Sequence, residues 1–222
     1  MAADGSLRPP SSAWVAAVHA TEADFRPLGA GVVIDAGRVL TCAHVLLEQG
    51  RLRKQVWVAF PNAAGQRYVR RAAVLGAADY VPPVRDLAVL VLDEPVPAGI
   101  AARVLCPQGG DLVGLRWWAF GFPGGDPVGD AADGVVGESL SYGWLRLDPQ
   151  SRSGLALGFS GGGLWSPDFA AVIGGSRAVC RVGAGRAVSL FQADLALPGQ
   201  KLSLLAGWRA VAAGEAALAA WG

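Results

Sequence analysis

The sequence predicts an all-β protein in two halves, and three observations carry that prediction. Glycine and proline are abundant, at 31 and 14 of 222 residues, and so many turn formers suit short strands joined by tight connections in a barrel or sandwich. Apolar residues make up 52% of the chain and charged ones 17%, which fills a substantial core and is too apolar for a disordered chain. Short β-branched or apolar stretches recur along the sequence, roughly six on each side of about residue 105. No sequence repeat relates the two halves.

Composition also narrows the function. Net charge is +1 with no basic or acidic run, which gives nucleic-acid or electrostatic membrane binding no support. No apolar run is long enough to span a bilayer, and the first twenty residues lack a charged segment followed by an apolar one, so no secretory signal is expected. Cys42, Cys106 and Cys180 are odd in number, scattered and without metal-ligand spacing. Buried, reduced thiols in a cytoplasmic protein are the expectation, with no metal and no cofactor.

In chain order, residues 1–12 carry Pro9 and Pro10 and read as a flexible lead. Ala13 to His19 reads as a first strand, with His19 at its end. Val32 to Ile34 and Arg38 to Thr41 form a hairpin across Asp35-Ala36-Gly37, with Gly37 expected at positive φ. The second strand of that hairpin runs into Ala43-His44-Val45, a short helical turn. Gln55 to Phe60 and Tyr68 to Leu75 alternate as strands around a turn at Asn62 to Gly65. Leu87 to Leu92 is an unbroken apolar run with β-branched Val89 and Val91 between prolines, which reads as a strand buried on both faces. Asp86 stands at its mouth. The second half offers Leu115 to Phe120, a loop at Gly121 to Gly125, then Val135 to Ser139, Tyr142 to Leu147, Gly154 to Gly163, Ala170 to Gly174 and Ala187 to Phe191. Residues 202–222 are alanine-rich and proline-free, and read as a C-terminal helix.

The stretch with the clearest chemistry is G-F-S-G-G-G-L, Gly158 to Leu164. A serine hydroxyl is a poor nucleophile until a base takes its proton, and it needs backbone N–H groups aimed at the substrate oxygen. Glycines let the chain turn sharply enough to bring those groups close. Alone, the motif is equally a glycine-rich surface loop. His44 and Asp86, each delivered at a strand end, change its weight.

His44, Asp86 and Ser160, in that order and in the settings L-T-C-A-H-V, D-L-A-V-L and G-F-S-G-G, resemble the chymotrypsin/trypsin-like serine peptidases. The flavour is the intracellular, disulfide-free bacterial type. The resemblance spans nearly the whole chain. It implies two six-stranded antiparallel Greek-key β-barrels, over residues 13–105 and 106–201, followed by the helix. It further implies a serine endopeptidase acting on protein or peptide substrates, an intracellular effector or processing enzyme open to a regulatory partner protein or domain. His44 would be the general base, Asp86 its orienting acid and Ser160 the nucleophile. The N–H groups of Gly158 and Ser160 would form the oxyanion hole, and Gly154, Leu155, Gly174 and Gly175 the substrate pocket. No carboxylate accompanies Gly154, so a small or apolar P1 residue is expected rather than Arg or Lys.

Two residues depart from the family pattern. Phe159 stands where secreted members carry an aspartate that pairs with a freshly cut N-terminus. Burial of its ring, worth roughly 1.5–3 kcal/mol, is the expected substitute. Gly163 replaces the usual proline. These departures leave a second reading open, a degenerate peptidase fold that only binds peptides. An α/β-hydrolase fails on order, since that class runs serine, acid, histidine.

Overall fold

The computed structural model describes residues 7–63, 69–75, 86–105, 107, 109–141, 144–152, 154–178 and 185–189. The first half carries β1 (Val15–His19), β2 (Gly29–Asp35), β3 (Arg38–Thr41), β4 (Leu47–Glu48), β5 (Arg51–Leu52), β6 (Gln55–Ala59), β7 (Val69–Leu75) and β8 (Ala88–Leu92). The second carries β9 (Arg116–Gly121), β10 (Asp130–Ser139), β11 (Trp144–Pro149), β12 (Gly163–Ser166), β13 (Ala171–Ala178) and β14 (Gly185–Ser189).

These strands make two closed barrels, β1-β2-β3-β8-β7-β6 and β9-β10-β11-β14-β13-β12, with β4 and β5 as a separate small hairpin. Every strand pairing within the barrels is antiparallel. With each barrel's six strands counted in chain order, both follow the path first, second, third, sixth, fifth, fourth. The halves therefore share a backbone path that their sequences do not reveal. Closure pairs every barrel strand with a neighbour on each side, and β13 runs on past its pairing with β12 at Arg177 and Ala178.

Alternation explains the cores. Val56 and Val58 of β6 point inward beside Val32, Leu40 and Leu90, all buried. The unbroken run in β8 is buried at Ala88, Val89, Leu90 and Leu92, as its composition requires. The second core gathers Leu112, Trp117, Val136, Leu145, Leu164 and Ile173. Between the barrels, Trp14 meets Trp118 edge-on with ring centroids 6.1 Å apart and planes at 84°, a favoured aromatic arrangement. Trp14 also accounts for Gly163, since a Cβ there would sit 2.8 Å from Trp14 Cζ3. The segment joining the barrels is bonded to both: Ala102 N–H donates to Val33 O at 2.9 Å, and Leu105 N–H to Val172 O at 3.0 Å.

Some expectations shift. The loop between β2 and β3 is the two residues Ala36 and Gly37, but Gly37 does not take a positive φ. The Asp35 carboxylate shapes the turn instead, accepting from Gly37 N–H at 2.8 Å and from Arg38 at 2.9 Å. β10 begins five residues before Val135, because Asp130 to Gly134 pair with β9. Gly163–Ser166 is a strand rather than the end of a loop. The helix expected over 202–222 lies outside the described residues.

Candidate active site

The His44 turn is built by its neighbours. Ala43, Val45 and Leu46 are buried and anchor the 3₁₀ turn Ala43–Leu46, which leaves the His44 side chain 27% exposed. Asp86 arrives from the adjacent strand. The β3–β8 register pairs Thr41 with Ala88, and two more antiparallel steps set Ala43 opposite Asp86. Accordingly Ala43 N–H donates to Asp86 O at 3.3 Å. A ladder that continues past both strand ends is what brings residues 44 and 86 together.

Asp86 is buried, and its side chain has no exposed surface. A carboxylate in that position requires compensation, and His44 supplies it twice. The His44 backbone N–H donates to Oδ1 at 2.9 Å, and His44 Nδ1 lies 2.7 Å from Oδ2. An ionised carboxylate only accepts, so Nδ1 carries the proton and Nε2 is left as the acceptor. The Cys42 thiol is close by, its Sγ within 4.8 Å of the His44 and Asp86 donor atoms. Both carboxylate oxygens are already bonded to His44, so a cation bound among these groups would have to break the pair. The cluster is a hydrogen-bonded dyad with a thiol behind it.

Ser160 sits in a loop shaped by Gly154, Gly158 and Gly161, at φ of +56°, +110° and +87°. Two of these glycines are forced by crowding as well as by φ. A Cβ on Gly158 would lie 2.1 Å from Phe122 O, and one on Gly161 would lie 2.2 Å from Ala30 O and 2.3 Å from Thr41 Oγ1. The second contact crosses between barrels. Ala30 N–H donates to Ser160 O at 2.9 Å, and Thr41 Oγ1 donates to Ala30 O at 2.6 Å. The Ser160 loop of the second barrel thus rests on β2 and on Thr41, the last residue of β3 and the one just before Cys42. The structure brings His44 and Asp86 into contact and seats Ser160 against the same strand ends.

The carbonyls of the loop are each held by a donor. Leu157 O accepts from Gly124 N–H at 3.2 Å, Gly158 O from Phe122 N–H at 3.0 Å, and Phe159 O from Gly162 N–H at 3.0 Å. Phe159 O also accepts from Ser176 Oγ at 2.8 Å. A trans peptide sets its N–H opposite the preceding C=O. Fixing Leu157 O therefore fixes the direction of the Gly158 N–H, and fixing Phe159 O fixes that of Ser160. Among the described residues the Gly158 N–H has no backbone acceptor.

The residues read as a substrate pocket are placed differently. Leu155 is 1% exposed and belongs to the core of the second barrel with Trp117 and Phe159. Gly174 pairs with Leu164 on one side and Ser189 on the other, and Gly175 with Gly163 and Val188. Both edges of these two glycines are used, so they form barrel wall rather than an open cleft edge. Counting residues back from Ser160 cannot foresee that the loop folds Leu155 inward. Gly154 is buried at the start of the loop. Ser176, which no local signal marks, is the residue that sequence reasoning passed over. Its role depends on the β12–β13 register.

A model of the trypsin-like peptidase domain matches residues 29–174. Among solved structures, the MamO protease domain from Magnetospirillum magneticum in its apo form aligns at 19% identity and TM-score 0.56, over 80% of this chain and 92% of that one. A serine endoprotease from Yersinia pestis aligns at 22% identity and TM-score 0.60, over 81% of this chain and 59% of that one. Kallikrein-related peptidase 10 aligns at 16% identity and TM-score 0.63, over 84% and 94%. No curated protein sequence matches the chain.

Proposed function

The chain belongs to the trypsin-like peptidase family, and from that premise we propose that His44, Asp86 and Ser160 are the catalytic triad of a serine endopeptidase. The observation that carries this reading is the Asp86 carboxylate, fully buried and bonded to both His44 Nδ1 and His44 N. It fixes the tautomer in which Nε2 accepts the Ser160 hydroxyl proton. Ser160 Oγ then bonds to the carbonyl carbon of the substrate, and the carbonyl oxygen becomes an oxyanion facing the Gly158 and Ser160 N–H groups. The C–N bond breaks as His44 passes its proton to the amine. His44 then takes a proton from a water molecule, the water oxygen bonds to the acyl carbon, and His44 returns the proton to Ser160 Oγ as the acyl–oxygen bond breaks.

Substrate is proposed to bind as an extended strand on β13. Past Ser176, Arg177 and Ala178 pair with Arg186 and Gly185 of β14, and no described strand pairs along their other edge. Protein or peptide substrates suit such an edge. The buried Cys42 thiol supports a reducing compartment, and we place this effector or processing enzyme in the cytoplasm, under a regulatory partner.

A fluorophosphonate probe tests the reading. Wild type should be labelled, while Ser160→Ala and His44→Ala should not label and should not turn over peptides, yet should keep their fold. Equal peptide cleavage by wild type and Ser160→Ala would refute the assignment.

Specificity is read from the uncharged stretch Ser153 to Gly158 that leads to Ser160. Asp148 is engaged with Arg146 at 2.8 Å on the surface of β11, and Arg152 is exposed. With no carboxylate from Ser153 to Gly158 in the sequence, cleavage should follow small or apolar P1 residues. A peptide library cut mainly after Arg or Lys would contradict this.

A further inference from the structure

Ser176 lies in β13, with no exposed surface, and bonds to three of the residues that flank or follow the nucleophile. Its N–H donates to Gly162 O at 2.8 Å, and its carbonyl accepts from Gly161 N–H at 2.9 Å. Its hydroxyl lies 2.8 Å from Phe159 O and 3.0 Å from Gly162 O, and shares one proton between those two acceptors. Its carbonyl also lies 3.6 Å from Cys42 Sγ, at the foot of the His44 turn. One buried residue therefore grips the serine loop from beneath with its hydroxyl and main chain, and its carbonyl faces the element that carries His44.

We propose that Ser176 is a positioning residue for the oxyanion hole: its hydroxyl holds the Phe159 carbonyl, and through the rigid Phe159–Ser160 peptide it aims the Ser160 N–H at the substrate oxygen. This rests on the peptidase reading above. The reason is geometric. A trans peptide is planar, so turning the Phe159 C=O turns the Ser160 N–H by the same angle. Gly162 N–H alone holds that carbonyl within the same tight loop, and it moves with the loop it would restrain. Ser176 holds it from a neighbouring strand paired to both β12 and β14. Phe159 offers no side-chain charge that would fix this peptide by an ion pair, so the restraint falls on its main-chain carbonyl.

The test compares wild type, Ser176→Ala and Ser176→Thr, with rates expressed per titrated active site. Ser176→Ala should lower kcat by about 10- to 100-fold, less than the 10²–10³ lost with an oxyanion donor itself, and should leave KM within about twofold. Affinity for a peptide aldehyde, which forms an oxyanion on Ser160, should fall by the same factor. Ser176→Thr, which keeps the hydroxyl, should recover most of the rate. A residue that only supports folding would reduce the titrated fraction and leave kcat per site unchanged, and that result overturns the proposal, as does a rise in KM alone. If wild type fails to label with the fluorophosphonate, the peptidase reading fails separately. The clamp is then judged by amide NMR of wild type against Ser176→Ala. Beyond the immediate neighbours of position 176, shifts at residues 158–162 support it, and unchanged shifts at those residues overturn it.

Discussion

Asp86→Asn should lower kcat by about 10⁴-fold with little change in KM, the size of effect that the substitution has in a related triad. The structure explains why a near-isosteric change is so costly. Asp86 faces two donors, His44 N–H at Oδ1 and His44 Nδ1–H at Oδ2. A carboxamide has one acceptor oxygen and one donor nitrogen. The backbone N–H cannot give up its proton, so it keeps the oxygen, and the amide NH₂ turns to Nδ1. The imidazole answers by moving its proton to Nε2 and can no longer take one from Ser160. The fold should survive, because the volume and both hydrogen bonds are kept. The check is kcat on a peptide substrate beside a thermal melt. Activity within tenfold of wild type would show that Asp86 does not set the tautomer.

Phe159→Ala should cost about 3–5 kcal/mol of stability, the range for emptying an aromatic site in a core, and should lower kcat more than it raises KM. Phe159 is 1% exposed in the second core. A Cβ on Gly121 would fall 2.5 Å from Phe159 Cα and 2.6 Å from Cγ, so the ring and its backbone rest directly on β9. Without the ring, the peptides on either side of Phe159 lose the packing that sets their direction. Natural stabilities are only about 5–15 kcal/mol, so denaturant melts will show the loss plainly. The same packing makes N-terminal cutting unnecessary as a switch. Deleting residues 1–12 should leave activity within a few-fold, since Trp14, which wedges the barrels, remains. A chain inert at full length and active only after trimming would sink this account.

Much of this was legible in the sequence, and the limits have physical causes. His44, Asp86 and Ser160 stood out because local signals mark each one: a hairpin leading into a short turn, a polar pair opening an apolar run, and a serine among glycines. The strand nature of Leu87 to Leu92 followed from its β-branched content. Asp130 to Gly134 did not read as strand, because aspartate and glycine disfavour one, and pairing with β9 overrides that preference. Gly37 was assigned a positive φ from its type alone, where the Asp35 carboxylate holds the turn. Ser176 and the fit of Trp14 to Gly163 were invisible because each depends on partners far away in the chain. The places of Leu155 in the core and of Gly174 and Gly175 in the barrel wall depend on distant partners in the same way, and neither the count back from Ser160 nor the resemblance reveals them.

The bond from Ala30 N–H to Ser160 O has a consequence for synthesis. His44 and Asp86 leave the ribosome well before Ser160, and β14 closes the second barrel only at Gly185–Ser189. β2 is in place by then, but until β14 pairs with β13 the serine loop has no fixed Ser176 strand beneath it. On the proposed reading, a nascent chain would carry its base and acid without a working nucleophile. The cut-competent state would then arrive late, as a property of the finished pair of barrels, and half-made siblings crowded on one message would be spared from one another.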